Sequence, residues 1–251
     1  MQIEALKVEG LSKRFGKMTV VNDVRLSVPA GERRAVIGPN GAGKTTLFNL
    51  ISGDLKASAG HVNMWEEDVS KWSPARRARR GLRRTYQSSA VFDTLTVEQN
   101  IAMGIIGPKG EAWNGISRWS SGQESRDQIE RVLDSMRLTE VRDTAGASLS
   151  HGERRQLELG MAIASNSKIL LLDEPAAGLS EEERLTLMNL LDELEKNITI
   201  LMIEHDMRIA LGFADYVSVL DNGTLIAEGT PSEISKNETV RAVYLGEDPN
   251  E

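Results

Sequence analysis

The chain has 251 residues, 40% of them apolar and 27% charged, with a formal net charge of −7 and no cysteine. That length and composition suffice for a sizeable core, in one large domain or two small ones with one mixed domain the simplest reading, and argue against extensive disorder, while the acidic balance disfavours a general nucleic-acid partner. Without cysteine there are no disulfides, thiolate metal sites or iron–sulfur clusters, which fits a reducing compartment.

The opening MQIEALKVEG has neither a basic nor an apolar export region, and no apolar run approaches the roughly 18 residues of a membrane span. The chain is therefore expected neither to cross a membrane nor to be exported by its own signals. From about Ile3 to Val36 the sequence reads as short strands separated by turns, closing with Ala35-Val36-Ile37 before a glycine-rich loop. A helix is expected to begin inside that loop, because Thr46-Leu47-Phe48-Asn49-Leu50-Ile51 is helical in pattern and stops at Gly53, a C-terminal cap. Thr96 to about Ala164 reads as a mostly helical insertion. Ile129, Val132, Leu133 and Met136 stand at helical spacing, and Trp113 and Trp119 in the Gly107–Ser125 loop are expected to pack it. Ile169 to Leu172 and Ile198 to Ile203 are apolar without alternation, as in strands covered on both faces of a parallel sheet. Between them Leu187, Leu190, Leu191 and Leu194 form one apolar helix face, and this βαβ order predicts an α/β fold. Tyr216 to Leu220, the turn Asn222-Gly223 and Thr224 to Ala227 make a hairpin, followed by a polar helical tail. No internal repeat or low-complexity tract is present.

Four segments carry chemistry. Gly38-Pro39-Asn40-Gly41-Ala42-Gly43-Lys44-Thr45 matches G-x-x-x-x-G-K-[ST] in full. Its glycines let backbone N–H groups turn toward a polyphosphate, Lys44 suits the β- and γ-phosphates, and the Thr45 hydroxyl suits Mg²⁺. Asp173 and Glu174 follow the strand ILLL, and His205 follows the strand ending at Ile203. With the phosphate loop, these sites all fall beyond the carboxyl ends of strands, where α/β sheets bind ligands. Ser150 and Glu153 have the spacing of a capping box before an apolar stripe at Leu157, Met161 and Ala164, and a helix start of this kind attracts anions. Ser180 and Glu183 repeat the spacing.

Leu149-Ser150-His151-Gly152-Glu153 about twenty positions before ILLLDEP, in a chain that carries GPNGAGKT, resembles the signature arrangement of ATP-binding cassette (ABC) ATPases. The resemblance covers almost the whole chain, from LSKRFG to VYLGED. It implies a P-loop NTPase (RecA-like) core of α/β class with an antiparallel β subdomain and a helical insertion. The whole chain 1–251 is then one ABC ATPase domain, with a core at about 1–92 and 165–251 and a helical subdomain at about 93–164. It implies ATP and Mg²⁺ as ligands. Phe15 would stack on adenine, Gly38, Pro39, Asn40, Gly41, Ala42, Gly43, Lys44, Thr45 and Thr46 would hold the phosphates, and Thr45, Gln87 and Asp173 would serve the metal. Lys44, Gln87, Glu174 and His205 are the expected catalytic set, with Glu174 orienting the attacking water and His205 contacting the γ-phosphate. Ser150 and Gly152 would face the γ-phosphate held by a second chain. Ser180 stands where many members have Asp or Asn.

IGPNGAGKTTLFNLISG, RRTYQ, LSHGERRQLELGMAIA, LLLDEPAAGLS and MIEHDM are most similar to the ATPase subunits of branched-chain amino acid importers. Urea and short-chain amide importers, the lipopolysaccharide-exporting ATPase and a non-transport nucleotide sensor are the alternatives. The resemblance implies a second ATPase subunit, identical or not, two membrane permeases and, through them, a solute-binding protein. The chain is expected in the cytoplasm, peripheral on the inner face of the cell membrane, with no nucleic-acid partner. A long coiled coil or a second cassette, marks of DNA-repair and translation ATPases, is absent. The basic run Arg76, Arg77, Arg79, Arg80, Arg83 and Arg84 reads as a solvated helix face, or alternatively as a contact for anionic lipid or an acidic permease loop.

Overall fold

The computed structural model describes residues 3–85, 91–107, 123–164 and 167–245. Gln87, Trp113 and Trp119 lie outside the described residues. In chain order the described elements are β1 (Glu4–Phe15), β2 (Met18–Pro29), β3 (Arg33–Ile37), α1 (Lys44–Ser52), β4 (Ala59–Met64), β5 (Glu67–Asp68), α2 (Pro74–Arg79), β6 (Leu82–Arg84), α3 (Val97–Ile106), α4 (Gln123–Ser135), α5 (His151–Ile163), β7 (Ile169–Asp173), α6 (Glu181–Glu193), β8 (Thr199–Ile203), α7 (Met207–Phe213), β9 (Tyr216–Asp221), β10 (Thr224–Gly229), α8 (Pro231–Ile234) and α9 (Glu238–Leu245). They divide into two compact units, Met1–Arg77 with Ile169–Glu174 and Glu195–Glu251, and Ala78–Lys168 with Pro175–Leu194.

In the first unit β1 and β2 are each 12 residues long rather than a series of short strands. Gly10 looks like a turn in the sequence, but at φ 62° it is absorbed as a register shift between Val8 and Leu11. Alternate residues Val24, Leu26 and Val28 of β2 point inward. This antiparallel sheet runs β2-β1-β4-β5. The second sheet places β3 between β8 and β9, parallel to both, with β7 parallel to β8 and β10 folded back against β9. Every residue of β3, β7 and β8 is buried, as the apolar runs Ala35–Ile37, Ile169–Leu172 and Ile200–Ile203 within them predict. Two arginines are buried in β3. Arg34 is matched by Glu32 at 2.6 Å, Glu228 at 2.9 Å and Ser218 Oγ at 3.2 Å, so its charge is paired inside the sheet.

α1 is bounded by Gly43 and Gly53, both left-handed, and buries Leu47, Phe48, Leu50 and Ile51. At its far end Arg77, 2% exposed, donates to the carbonyls of Leu50 at 2.8 Å and Ile51 at 2.6 Å, which have no helical partner of their own. Gly53 leaves room for it, since a Cβ there would come within 2.9 Å of Arg77 Nε. The basic run is therefore not one solvated face. Arg76, Arg79 and Arg80 are exposed, with Arg76 stacked 3.7 Å over the Trp72 ring, whereas Arg77 is internal and Arg83 and Arg84 are half-buried.

The second unit is mainly helical in its described part. Ile129, Val132, Leu133 and Met136 are buried, as their spacing requires. α3 and α5 approach closely at Gly104, where a Cβ would meet the Met161 carbonyl at 2.5 Å. Thr96 and Gln99 close a capping box on α3. Behind it the buried Asn100 accepts from Phe92 N–H at 2.7 Å and donates to the carbonyls of Phe92, Leu95 and Thr96, fixing the approach to the helix.

Candidate functional site

The phosphate loop leaves β3 at Ile37 and enters α1 at Lys44. Its backbone shape depends on glycine: Gly41 and Gly43 have φ 82° and 102°, and a Cβ on Gly38 or Gly43 would meet the Leu220 carbonyl at 2.0 Å or the Val20 carbonyl at 2.7 Å. The Asn222-Gly223 turn braces it further, with Gly223 N–H donating to Ala42 O at 2.9 Å and Asn22 N–H to Gly223 O at 2.8 Å. No side chain caps the start of α1 and no acidic residue lies in its first turn, so its first amides and dipole suit an anion. Lys44 Nζ donates to the carbonyls of Gly38 at 2.7 Å and Pro39 at 2.9 Å. Burial pushes its pKa down, and the Glu174 and Asp173 carboxylates pull it back up. Those two acidic groups are thus electrostatic neighbours of the lysine. Thr45 is exposed and Thr46 half-buried at the helix start.

At the end of β7, Asp173 is 2% exposed and Glu174 turns into a left-handed conformation at φ 48°. That backbone is costly for a residue with a Cβ and is typical of functional positions. Glu174 N–H donates to Ile203 O at 3.0 Å, which ties the end of β7 to the end of β8. His205, just past β8, is 59% exposed, and its Nδ1 stands 4.0 Å from carboxylate oxygens of both Glu174 and Glu204. The arrangement puts a cation at Lys44, buried and half-buried acids at Asp173 and Glu174, and an open imidazole around one loop. Among the described residues no group of three or more His, Cys, Asp or Glu side chains could hold a metal alone. A divalent cation here would rest on Thr45, Asp173 and oxygens of the nucleotide, which is how Mg²⁺ is usually held. Phe15 is 46% exposed at the tip of the β1–β2 hairpin, with Lys13 Nζ 5.0 Å from its ring centroid, so it is not a core residue and presents a face for stacking.

In the second unit Ser150 caps α5 in a complete box with Glu153, and Ser180 caps α6 in a box with Glu183. Serine at position 180 thus fills the capping role that Asp or Asn would fill. Two contacts between these helix starts carry no mark in the sequence: Glu183 accepts from Gly152 N–H at 2.9 Å, and His151 Nδ1 lies 3.2 Å from the Gly178 carbonyl. The partners are 31 and 27 residues apart.

Residues 21–177 match the family model described as ABC transporter, and residues 224–249 match that of the branched-chain amino acid ATP-binding cassette transporter. The high-affinity branched-chain amino acid transport ATP-binding protein LivG of Escherichia coli is 36% identical over 249 residues, covering 96% of this chain and 98% of that protein. The lipopolysaccharide export system ATP-binding protein LptB of Escherichia coli is 34% identical over 244 residues, covering 97% and 98%. The structure of the ADP conformation of MJ1267, an ATP-binding cassette of an ABC transporter, superposes with a TM-score of 0.84 at 33% identity, covering 98% of this chain and all of that one. With the phosphate loop, the acidic strand end and the paired helix starts in place, these matches establish that the chain belongs to the ABC transporter ATPases and is the ATP-binding, ATP-hydrolysing subunit of a transporter.

Proposed function

We propose that the chain powers import of a small solute, branched-chain or other hydrophobic amino acids, from the cytoplasmic face of a membrane permease pair. The observation that carries this reading is the match of residues 224–249 to the branched-chain amino acid cassette model, in a region outside the general ABC match. The similar identity to LptB favours one second reading, an ATPase of lipopolysaccharide export. Among the described residues no helix is long and apolar enough to cross a membrane.

In this reading two ATPase chains face each other, the phosphate loop of one against Ser150 and Gly152 of the other. Phe15 stacks on the adenine. The loop amides from Gly38 to Thr46 and Lys44 hold the phosphates, and Lys44 exchanges its contacts with the Gly38 and Pro39 carbonyls for phosphate oxygens. Thr45 and Asp173, with Gln87, would hold Mg²⁺, which would supply neutralisation of phosphate charge. Glu174 orients a water in line with the γ-phosphorus and accepts its proton as the bond to the β–γ bridging oxygen breaks, releasing ADP and phosphate. His205, on the exposed exit of β8, donates to a γ-phosphate oxygen. Closure and reopening of the pair then work the permeases, and the solute is chosen by the permeases and an external binding protein.

The test has two arms. Glu174→Gln is expected to bind ATP normally, lose turnover by at least about a hundredfold and hold the closed pair; normal turnover would remove Glu174 from its role. Affinity capture of the chain from detergent-solubilised membranes is expected to bring down an amino acid permease pair. Recovery of lipopolysaccharide-export components instead would decide for the second reading.

A further inference from the structure

The starts of α5 and α6 are joined by one carboxylate. Glu183 Oε2 accepts from Ser180 N–H at 2.9 Å and Ser180 Oγ at 2.8 Å, closing the box on α6. Its other oxygen, Oε1, accepts from Gly152 N–H at 2.9 Å. The side chain lies directly on Gly152: a Cβ there would meet Glu183 Cγ and Oε1 at 2.8 Å. Gly152 is buried, although it stands in the first turn of α5. The Ser180 amide and hydroxyl, and then the Gly152 amide, hold the Glu183 carboxyl below the usual carboxylate range, so it is an anion at neutral pH.

One amide hydrogen serves one anion well. In the proposed pairing of two chains, on which this inference rests, the Gly152 N–H receives the γ-phosphate brought by the partner. Glu183 occupies the same donor, and its charge has the same sign as the phosphate. We infer that Glu183 is an internal competitor for the partner's γ-phosphate. It masks the signature helix start until nucleotide displaces it, and it then keeps its hold on Ser180 through Oε2. Ser150 is not covered in this way. Its oxygen accepts from Glu153 N–H at 3.2 Å, which leaves its hydroxyl hydrogen to donate. Closure of the pair therefore exchanges one anion for another at Gly152 instead of filling an open donor, and Glu183 sets the nucleotide concentration at which that exchange occurs.

The test measures ATP-driven pairing of the full chain by light scattering in a Glu174→Gln background, across a range of ATP·Mg²⁺ concentrations. Adding Glu183→Gln removes the charge and keeps the shape. Adding Glu183→Asp keeps the charge but shortens the reach to Gly152 by one methylene, and it guards against a folding failure of the first variant. Both are expected to pair at ATP concentrations lower by about threefold or more, since a charge-assisted hydrogen bond no longer opposes closure. Pairing at unchanged or higher ATP in either variant, or no pairing in any of them, overturns the competitor role. Ser150→Ala in the same background reads the underlying assignment separately: if it pairs as readily as its parent, the signature helix start does not receive the phosphate at all.

Discussion

Arg77→Ala is expected to be the most damaging single change in the basic run, because Arg77 is its fully buried member and caps the end of α1. Arg77 holds the last carbonyls of α1 with contacts of 2.6 and 2.8 Å, and reaches the Ser70 carbonyl at 3.2 Å. Hydrogen bonds from a charged donor contribute about 1.5–3 kcal/mol each, and removing one partner also leaves buried acceptors bare. Allowing for non-additivity and for water reaching part of the space, the expected cost is about 3–5 kcal/mol. For a chain of this size that corresponds to a fall in melting temperature on the order of 10 °C. The measurement is urea unfolding followed by far-ultraviolet circular dichroism, beside calorimetry, with Arg79→Ala as the exposed reference expected to stay within about 0.5 kcal/mol. Arg77→Met, which restores volume without donors, is expected to fall between the two. Because Lys44 and Thr45 stand at the opposite end of α1, ATP affinity at a temperature where the variant is folded should change by no more than about threefold. If Arg77→Ala lies within about 1 kcal/mol of Arg79→Ala, the cap is not what holds this end of the helix.

Two other outcomes depend on close approaches and buried partners. Gly43→Ala places a Cβ 2.7 Å from the Val20 carbonyl at φ 102°, so the phosphate loop must shift and ATP affinity should fall by about tenfold or more; fluorescence titration with a labelled nucleotide checks it, and unchanged affinity would refute the loop geometry. Asn100→Ala strips the buried partners of Phe92, Leu95 and Thr96 and should cost about 2–4 kcal/mol in urea unfolding, with a loss below about 0.5 kcal/mol counting against the role of this amide.

What the sequence makes legible is what local chemistry enforces. The phosphate loop, the caps at Ser150 and Ser180 and the Asn222-Gly223 turn each depend on residues within a few positions of one another, so spacing alone locates them. The parallel strands are readable for a different reason: burial on both faces forbids alternation, and the apolar runs within β3, β7 and β8 show none, although Arg33 and Arg34 open β3. Contacts made across the fold leave no such trace. Nothing in six clustered arginines marks Arg77 as the one that turns inward, since that depends on Gly53 and the end of α1 about 25 residues earlier. The Glu183 carboxylate satisfies a local cap and a distant amide at once, and only the first is visible in S-x-x-E. Likewise Gly10 is a turn residue by composition, yet neighbouring strands convert it to a bulge within one continuous strand. Glu174 stands out in the sequence from its place after ILLLD, but its left-handed backbone and its amide bond to the Ile203 carbonyl on the next strand do not.

The braced phosphate loop has a consequence for exchange of spent for fresh nucleotide. Val20, Leu220 and the Asn222-Gly223 turn hold its curvature by contacts that involve no ligand. Binding then demands little ordering of the main chain, so affinity is set by charge and water release and not by an entropy of assembly. A loop held this way is a preformed receptacle that can empty and refill without remaking its shape.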